Sequence, residues 1–313
     1  MTQDVEMTTG STRQTRSSTR RQKLTPPTTT TTTTTNSEHV PDTSSDKPPI
    51  EWLSSVLTHS TRVLRNQRDP VMVKRTWLSS NTVPLPTTYP LNPVDATFIF
   101  AQEQAGTAVC ISPDGVLLTC SHCVAESASE LSQNPTHILL SSKGGIVSAR
   151  VMAWDPTRDL ALLMITEAEL PHRPFPYIHL ASTPPKANTR LICIGHPGSE
   201  DLEAERRGVP TEYDTLVLSE GKFHGLAKGQ DPQDNSDMGA LKHSCWTYWG
   251  HSGAGLFDRR TGALVGLHSS WDEETGMRRG VPFEAVLAFL EEFDGRGGNG
   301  MGEGWKWFVR EES

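Results

Sequence analysis

The 313-residue chain has no run of 18 apolar residues, and its amino terminus, M-T-Q-D-V-E-M-T, lacks the basic-then-apolar layout of a secretory signal. A membrane-spanning helix needs the first and an exported protein the second, so an intracellular protein, cytoplasmic or nuclear and without a membrane partner, is expected. Cysteine is scarce. The five residues Cys110, Cys120, Cys123, Cys193 and Cys245 form an odd, scattered set that suits free thiols better than a disulfide framework. Cys120-Ser121-His122-Cys123 is one C-x-x-C pair with no second close pair to complete a four-ligand site, so neither a metal nor a cofactor is expected. A surplus of basic charge is also missing: 29 Lys and Arg stand against 37 Asp and Glu, a formal net charge of −8. That argues against general binding of nucleic acid, which requires a basic footprint.

Apolar residues make up only 35% of the chain, low for a wholly folded protein of this length. Residues 1–49 account for the shortfall. They run T-R-Q-T-R-S-S-T-R-R-Q-K, then Pro26, Pro27 and an unbroken threonine stretch from Thr28 to Thr35. Six Lys and Arg against five acids give this segment +1 and leave −9 for the rest. Such composition cannot offset the entropy of ordering, so a disordered Thr/Arg-rich tail is predicted, dispensable for activity and stability. Its Arg cluster could serve as an import signal or a weak phosphate contact.

The remainder divides by pattern. Residues 50–94 form a lead-in: Ile50, Leu53, Val56, Leu57, Val63 and Leu64 recur at mostly helical intervals over 50–68, and Pro84, Pro86, Pro90 and Pro93 follow. From 95 to 290 come short apolar runs punctuated by turns such as Ser112-Pro113-Asp114-Gly115 and Arg259-Arg260-Thr261-Gly262. That is an all-β signature. About six strands on each side of Pro184-Pro185 predict two six-stranded antiparallel barrels, one over about 95–183 and one over about 186–290. V-P-F-E-A-V-L-A-F-L-E-E-F reads as a short closing helix, and 291–313 as a glycine-rich tail in which Trp305 and Trp307 pack back or meet a partner.

W-G-H-S-G-A-G-L-F-D, residues 249–258, sets Ser252 among small neighbours. An α/β-hydrolase elbow requires a helix after the serine, then acid and histidine. Here a hairpin pattern follows, His268 is the one downstream histidine, and only 61 residues remain. The opposite order, histidine, acid, serine, is complete. His122 stands at the end of a strand–turn–strand unit, and Asp159 at the head of the apolar run L-A-L-L-M-I. Ser252 lies 93 residues beyond Asp159, in the second predicted barrel. In this reading Ser252 is the nucleophile, His122 the general base, Asp159 its orienting acid, and the N–H groups of Gly250 and Ser252 the oxyanion hole. His137, His172, His179, His196, His224, His243 and His251 lack comparable context and are taken as structural or exposed.

G-T-A-V-C-I-S-P-D-G-V-L-L-T-C-S-H-C, R-D-L-A-L-L, L-I-C-I-G-H-P and G-H-S-G-A-G-L-F-D together resemble the trypsin-like peptidases of the HtrA-like branch, over roughly residues 95–290. The resemblance implies a chymotrypsin-type double barrel, a polypeptide substrate and serine endopeptidase activity. The alternative is a protease-fold module that binds peptides or proteins without cleaving them, and an esterase is a third option. Ala254 stands where the family usually has glycine. His251 stands where secreted trypsins carry an aspartate, so zymogen processing is not implied. The PDZ domain of typical HtrA proteins is not expected after the closing helix.

By the same resemblance, the strand Cys245-Trp246-Thr247-Tyr248-Trp249 and the strand Gly266-Leu267-His268-Ser269-Ser270-Trp271 wall the pocket for the residue on the acyl side of the cut. Neither carries the acid with which trypsins attract Lys or Arg. Thr247 and His268, with Ser269 beside them, resemble the pockets of picornaviral 3C proteases and glutamyl endopeptidases. The pairing implies a preference for Gln or Glu; the competing reading is an apolar pocket lined by Trp246 and Leu267.

Overall fold

A computed structural model describes residues 51–52, 65–102, 106–169 and 174–295. The tail 1–49, most of the helix expected over 50–68, and W-K-W-F-V near the carboxyl end lie outside the described residues.

Two closed six-stranded antiparallel barrels make up the body. The first comprises β2 (Thr97–Phe100), β3 (Thr107–Cys110), β4 (Val116–Thr119), β5 (Thr136–Ser141), β6 (Ile146–Asp155) and β7 (Leu160–Ala168), with pairing of β6 to β7 closing the ring. β1 (Glu51–Trp52) adds a short parallel edge against the end of β7. The second comprises β8 (Arg190–Gly195), β9 (Val217–Leu226), β10 (Leu241–His243), β11 (Gly255–Asp258), β12 (Leu264–Trp271) and β13 (Arg278–Pro282).

The turns follow from local chemistry. Between β3 and β4, the Gly115 N–H donates to the Ser112 carbonyl (3.0 Å), and Gly115 takes φ +89°, a conformation that glycine adopts without a Cβ penalty. Between β11 and β12, the Asp258 carboxylate accepts the N–H groups of Arg260 (2.7 Å) and Thr261 (3.1 Å). Both strand pairs flank these turns in antiparallel register.

One apolar core fills the first barrel, crosses the barrel interface through Ile192, Ile194, Phe257, Leu264 and Leu267, and reaches α3 (Phe283–Gly295), which follows the short α2 (Ala128–Gln133) in the chain. Phe283, Val286, Phe289, Leu290 and Phe293 recur at three- and four-residue intervals and supply the buried face of that helix. A smaller cluster, with Leu191, Phe223, Leu241 and Leu256, fills the second barrel. Within the described part of the lead-in, residues 51–52 are strand where a helix was expected, and α1 (Arg65–Ser80) runs well beyond residue 68, where the expected helix ends. Its buried face is Val71, Lys74 and Leu78, while Met72 and Val73 face solvent. A lysine in the apolar stripe and two apolar residues outside it hide this helix from hydrophobic periodicity.

Candidate active site

His122 lies on a single 3-10 turn, Ser121–Cys123, directly after β4. Asp159 immediately precedes β7 and is fully buried. The turn before it is held by Asp155, whose carboxylate accepts the N–H groups of Thr157 and Arg158 (both 3.0 Å). Asp159 then takes φ +55°, a left-handed conformation that costs a non-glycine residue on the order of 1 kcal/mol. Four donors converge on its carboxylate. His122 Nδ1 lies 2.8 Å from Oδ1 and 3.0 Å from Oδ2, the Ser121 hydroxyl donates to Oδ1 (2.9 Å), the His122 N–H to Oδ1 (3.3 Å) and the Ser269 hydroxyl to Oδ2 (2.9 Å). With Nδ1–H committed to a carboxylate, the neutral imidazole carries its lone pair on Nε2.

Ser252 sits in a tight loop between β10 and β11. The His251 N–H donates to the Tyr248 carbonyl (3.0 Å), the Gly253 N–H to the His268 carbonyl (2.8 Å) and the Ala254 N–H to the His251 carbonyl (2.8 Å). Gly253 has φ +79°, and a Cβ there would stand 2.1 Å from the Thr107 carbonyl oxygen. Only glycine fits. The Ser252 carbonyl accepts from the Thr107 N–H (2.8 Å) and the Cys123 thiol (3.5 Å), while its hydroxyl donates to the Ser269 carbonyl (3.2 Å). Among the described residues the N–H groups of Gly250 and Ser252 have no protein acceptor. Ser269 therefore touches both Asp159, through its hydroxyl, and Ser252, through its carbonyl.

Ala254, the departure from the family pattern, is accommodated by Gly195: a Cβ at Gly195 would come within 2.6 Å of the Ala254 Cβ and 2.8 Å of the His251 ring. His251 is buried, and its Nδ1 lies 3.1 Å from both the backbone nitrogen and the carbonyl oxygen of Tyr248.

Thr247 and His268 are both buried. His268 Nδ1 faces His243 Nε2 at 3.1 Å, so His243, which local context left unassigned, is the direct neighbour of the predicted pocket histidine. Burial holds His243 at about 3 and His251 at about 4, with the positive charge of Arg278 adding to both; burial also pushes His268 well below the ordinary histidine value. Arg278 crosses this region, its guanidinium donating to the Thr247 carbonyl (3.4 Å) and lying 5.1 Å from the Trp271 ring centre. Trp246, named for an apolar lining, is 37% exposed, and its ring meets His251 edge-on. His243 and Arg278 escaped sequence reasoning because cross-strand register sets them opposite one another; Ser121, the neighbour of His122 on its turn, is marked out only by its bond to the distant Asp159.

Cys120, His122 and Asp159 bring ligand-type atoms within 4.8 Å of one another. They do not suit a cation: both Asp159 oxygens already receive donors, and burial pushes the Cys120 thiol well above its ordinary value, keeping its proton in place.

A model of the trypsin-like peptidase domain matches residues 106–267, just over half of the chain. No curated protein matches it. Among solved structures, the HtrA-type protease AlgW with a decapeptide is 19% identical over 62% of this chain and 52% of that one, with a TM-score of 0.45; the chain thus spans about half of that protein's length. The serine endoprotease from Yersinia pestis is 18% identical over 68% of this chain and 69% of that one (TM-score 0.48). The active form of the Rv3671c protease from M. tuberculosis is 19% identical over 74% and 93% of the two chains (TM-score 0.47).

Proposed function

Because the chain belongs to the trypsin-like peptidases, we propose that it is a serine endopeptidase that cleaves polypeptides through Ser252, His122 and Asp159. The observation that carries this reading is the buried Asp159 carboxylate, which holds His122 Nδ1 at 2.8 Å while Ser269, donating to the same carboxylate, accepts from the Ser252 hydroxyl. On substrate binding, Ser252 Oγ turns from the Ser269 carbonyl to His122 Nε2; catalytic hydrogen bonds of this kind commonly tighten only in the complex. His122 takes the hydroxyl proton as Oγ attacks the scissile carbonyl, Asp159 stabilises the resulting imidazolium, and the N–H groups of Gly250 and Ser252 receive the oxyanion. His122 then delivers the proton to the leaving amine, and water repeats the sequence on the acyl-enzyme.

Ser252→Ala or His122→Ala is expected to reduce peptide hydrolysis by about 10⁴-fold or more with the fold intact, since triad members act as a unit. Turnover by Ser252→Ala at the wild-type rate overturns the assignment. Failure of the wild-type protein to react with an active-site serine probe favours the peptide-binding alternative.

For the acyl-side residue we propose Gln or Glu. His243 Nδ1 is buried without a hydrogen-bond partner among the described residues, and leaving a donor there unsatisfied costs about 1–3 kcal/mol. The favoured arrangement therefore places the His243 proton on Nε2, donated to His268 Nδ1, and leaves His268 with an Nε2–H. That donor suits the side-chain oxygen of Gln or Glu, with Thr247 on the opposite wall. In a peptide library, cleavage after Gln or Glu should dominate and fall by about 10²-fold or more in His268→Ala. Cleavage after Leu, Val or Ala, indifferent to that change, refutes the preference.

A further inference from the structure

Lys74 is a charged residue on the inner face of α1, only 4% exposed. Withdrawing an ammonium from water costs several kcal/mol unless its donors are satisfied. Its Nζ lies 3.2, 3.5 and 3.0 Å from the carbonyl oxygens of Phe100, Ala101 and Gln102. Successive carbonyls of an extended strand point in alternate directions, so their convergence means that the chain curls around the ammonium where β2 ends.

The curl opens the connection to β3, whose far limb meets the nucleophile loop. The Phe100 N–H donates to the Gly106 carbonyl (3.0 Å), and a Cβ on Gly106 would stand 2.5 Å from the Ser252 carbonyl oxygen and 2.7 Å from Cys123 Sγ. Thr107, the next residue, donates its N–H to that same Ser252 carbonyl, and its hydroxyl oxygen accepts the His196 N–H (3.0 Å). The His196 carbonyl in turn lies against Gly250, where a Cβ would approach to 2.8 Å. The charge on Lys74 is felt at this end of the chain of contacts: after burial, it is the next cause holding the His196 imidazole well below its ordinary value. α1 precedes residue 106, where the family match begins, so this clasp is built from sequence ahead of the matched segment.

We propose that Lys74 is a positioning residue for proteolysis: by gripping the carbonyls of residues 100–102, it fixes Gly106 and Thr107 against the carbonyl of Ser252 and keeps the nucleophile loop in register for attack. The inference rests on Ser252 being the nucleophile. Displacement of a reacting atom by about 1 Å costs on the order of 10²-fold in rate, and the deficit belongs in kcat because the substrate contacts are not those disturbed.

The test uses the full chain. Lys74→Met, similar in length and without charge, should lower kcat and the rate of Ser252 labelling by a fluorophosphonate probe about 10- to 100-fold, with KM within about threefold of wild type. Arg75→Ala is the control, because it removes the ion pair from the same helix to Glu169 (3.0 Å) without touching the clasp. It should lower the melting temperature and leave kcat within about twofold. Should Lys74→Met not fold, Lys74→Gln, which keeps a side-chain donor, is read in its place and should show a smaller fall in kcat of the same kind. A folded Lys74 variant with wild-type kcat, a change confined to KM, or an equal loss of kcat in Arg75→Ala overturns the inference. The parent reading fails separately, through full activity of Ser252→Ala.

Discussion

At the scale of the residue, Ser269 serves two partners at once, through its hydroxyl to Asp159 and its carbonyl to Ser252. Ser269→Ala separates these, because the carbonyl remains. Asp159 keeps its other three donated hydrogen bonds, so we expect kcat to fall by about tenfold with little change in KM, as measured by steady-state hydrolysis. Wild-type kcat in this variant would exclude a role for the hydroxyl. Gly253→Ala is a harsher change: the left-handed φ and the 2.1 Å approach to the Thr107 oxygen both oppose a methyl group. Denaturant unfolding should register a loss of about 3 kcal/mol or more. His122, Asp159 and Ser252 stand out in the sequence because each sits in a distinctive local setting. His243 has no such setting, being one histidine on a short strand whose meaning depends on His268, 25 residues away.

At the scale of the element, the strands were readable and the lead-in helix was not. β7 shows why strands succeed: its first six residues are all buried, so the sequence is a continuous apolar run with little ambiguity. α1 instead places Lys74 between Val71 and Leu78 on its inner face, against every expectation of amphipathic patterning. The loop between β6 and β7 is a third case. Arg158 ties it to Gln233 (2.8 Å) and to Glu292 of α3, and the Asn235 N–H donates to the Thr157 carbonyl (2.8 Å). Elements distant in sequence thus brace the turn that delivers Asp159. The Arg158 side chain is 18% exposed and Glu292 44% exposed, so solvent screens the pair. A double-mutant cycle with Arg158→Ala and Glu292→Ala should give a coupling of about 0.5–1 kcal/mol in unfolding free energy. Coupling indistinguishable from zero would show that the brace is carried by the other contacts.

At the scale of the whole molecule, buried neutral histidines set the response to acid. His251 is held at about 4 and His243 at about 3, against 6.5 when exposed in the unfolded chain. Between these values the unfolded state binds more protons than the folded one, so their contribution to stability is fully present above pH 6.5 and is lost as pH falls toward 4 and below. For His251 alone the difference amounts to about 3 kcal/mol. Urea midpoints should therefore fall steadily from pH 7 to pH 4, and His251→Gln should flatten that slope. A midpoint constant over this range would mean that these imidazoles are not buried neutral in solution.

The double attachment of Ser269 also makes catalysis a gauge of how the two barrels meet. Asp159 belongs to the first and Ser269 to the second, and the bond joining them is 2.9 Å long. A small separation at that seam would detach the acid and shift the serine while every strand ladder stayed whole. Along a urea titration, turnover should accordingly disappear at a lower concentration than the far-ultraviolet circular dichroism of the sheets, the interval between the two measuring a state in which both barrels persist and the alignment between them is gone.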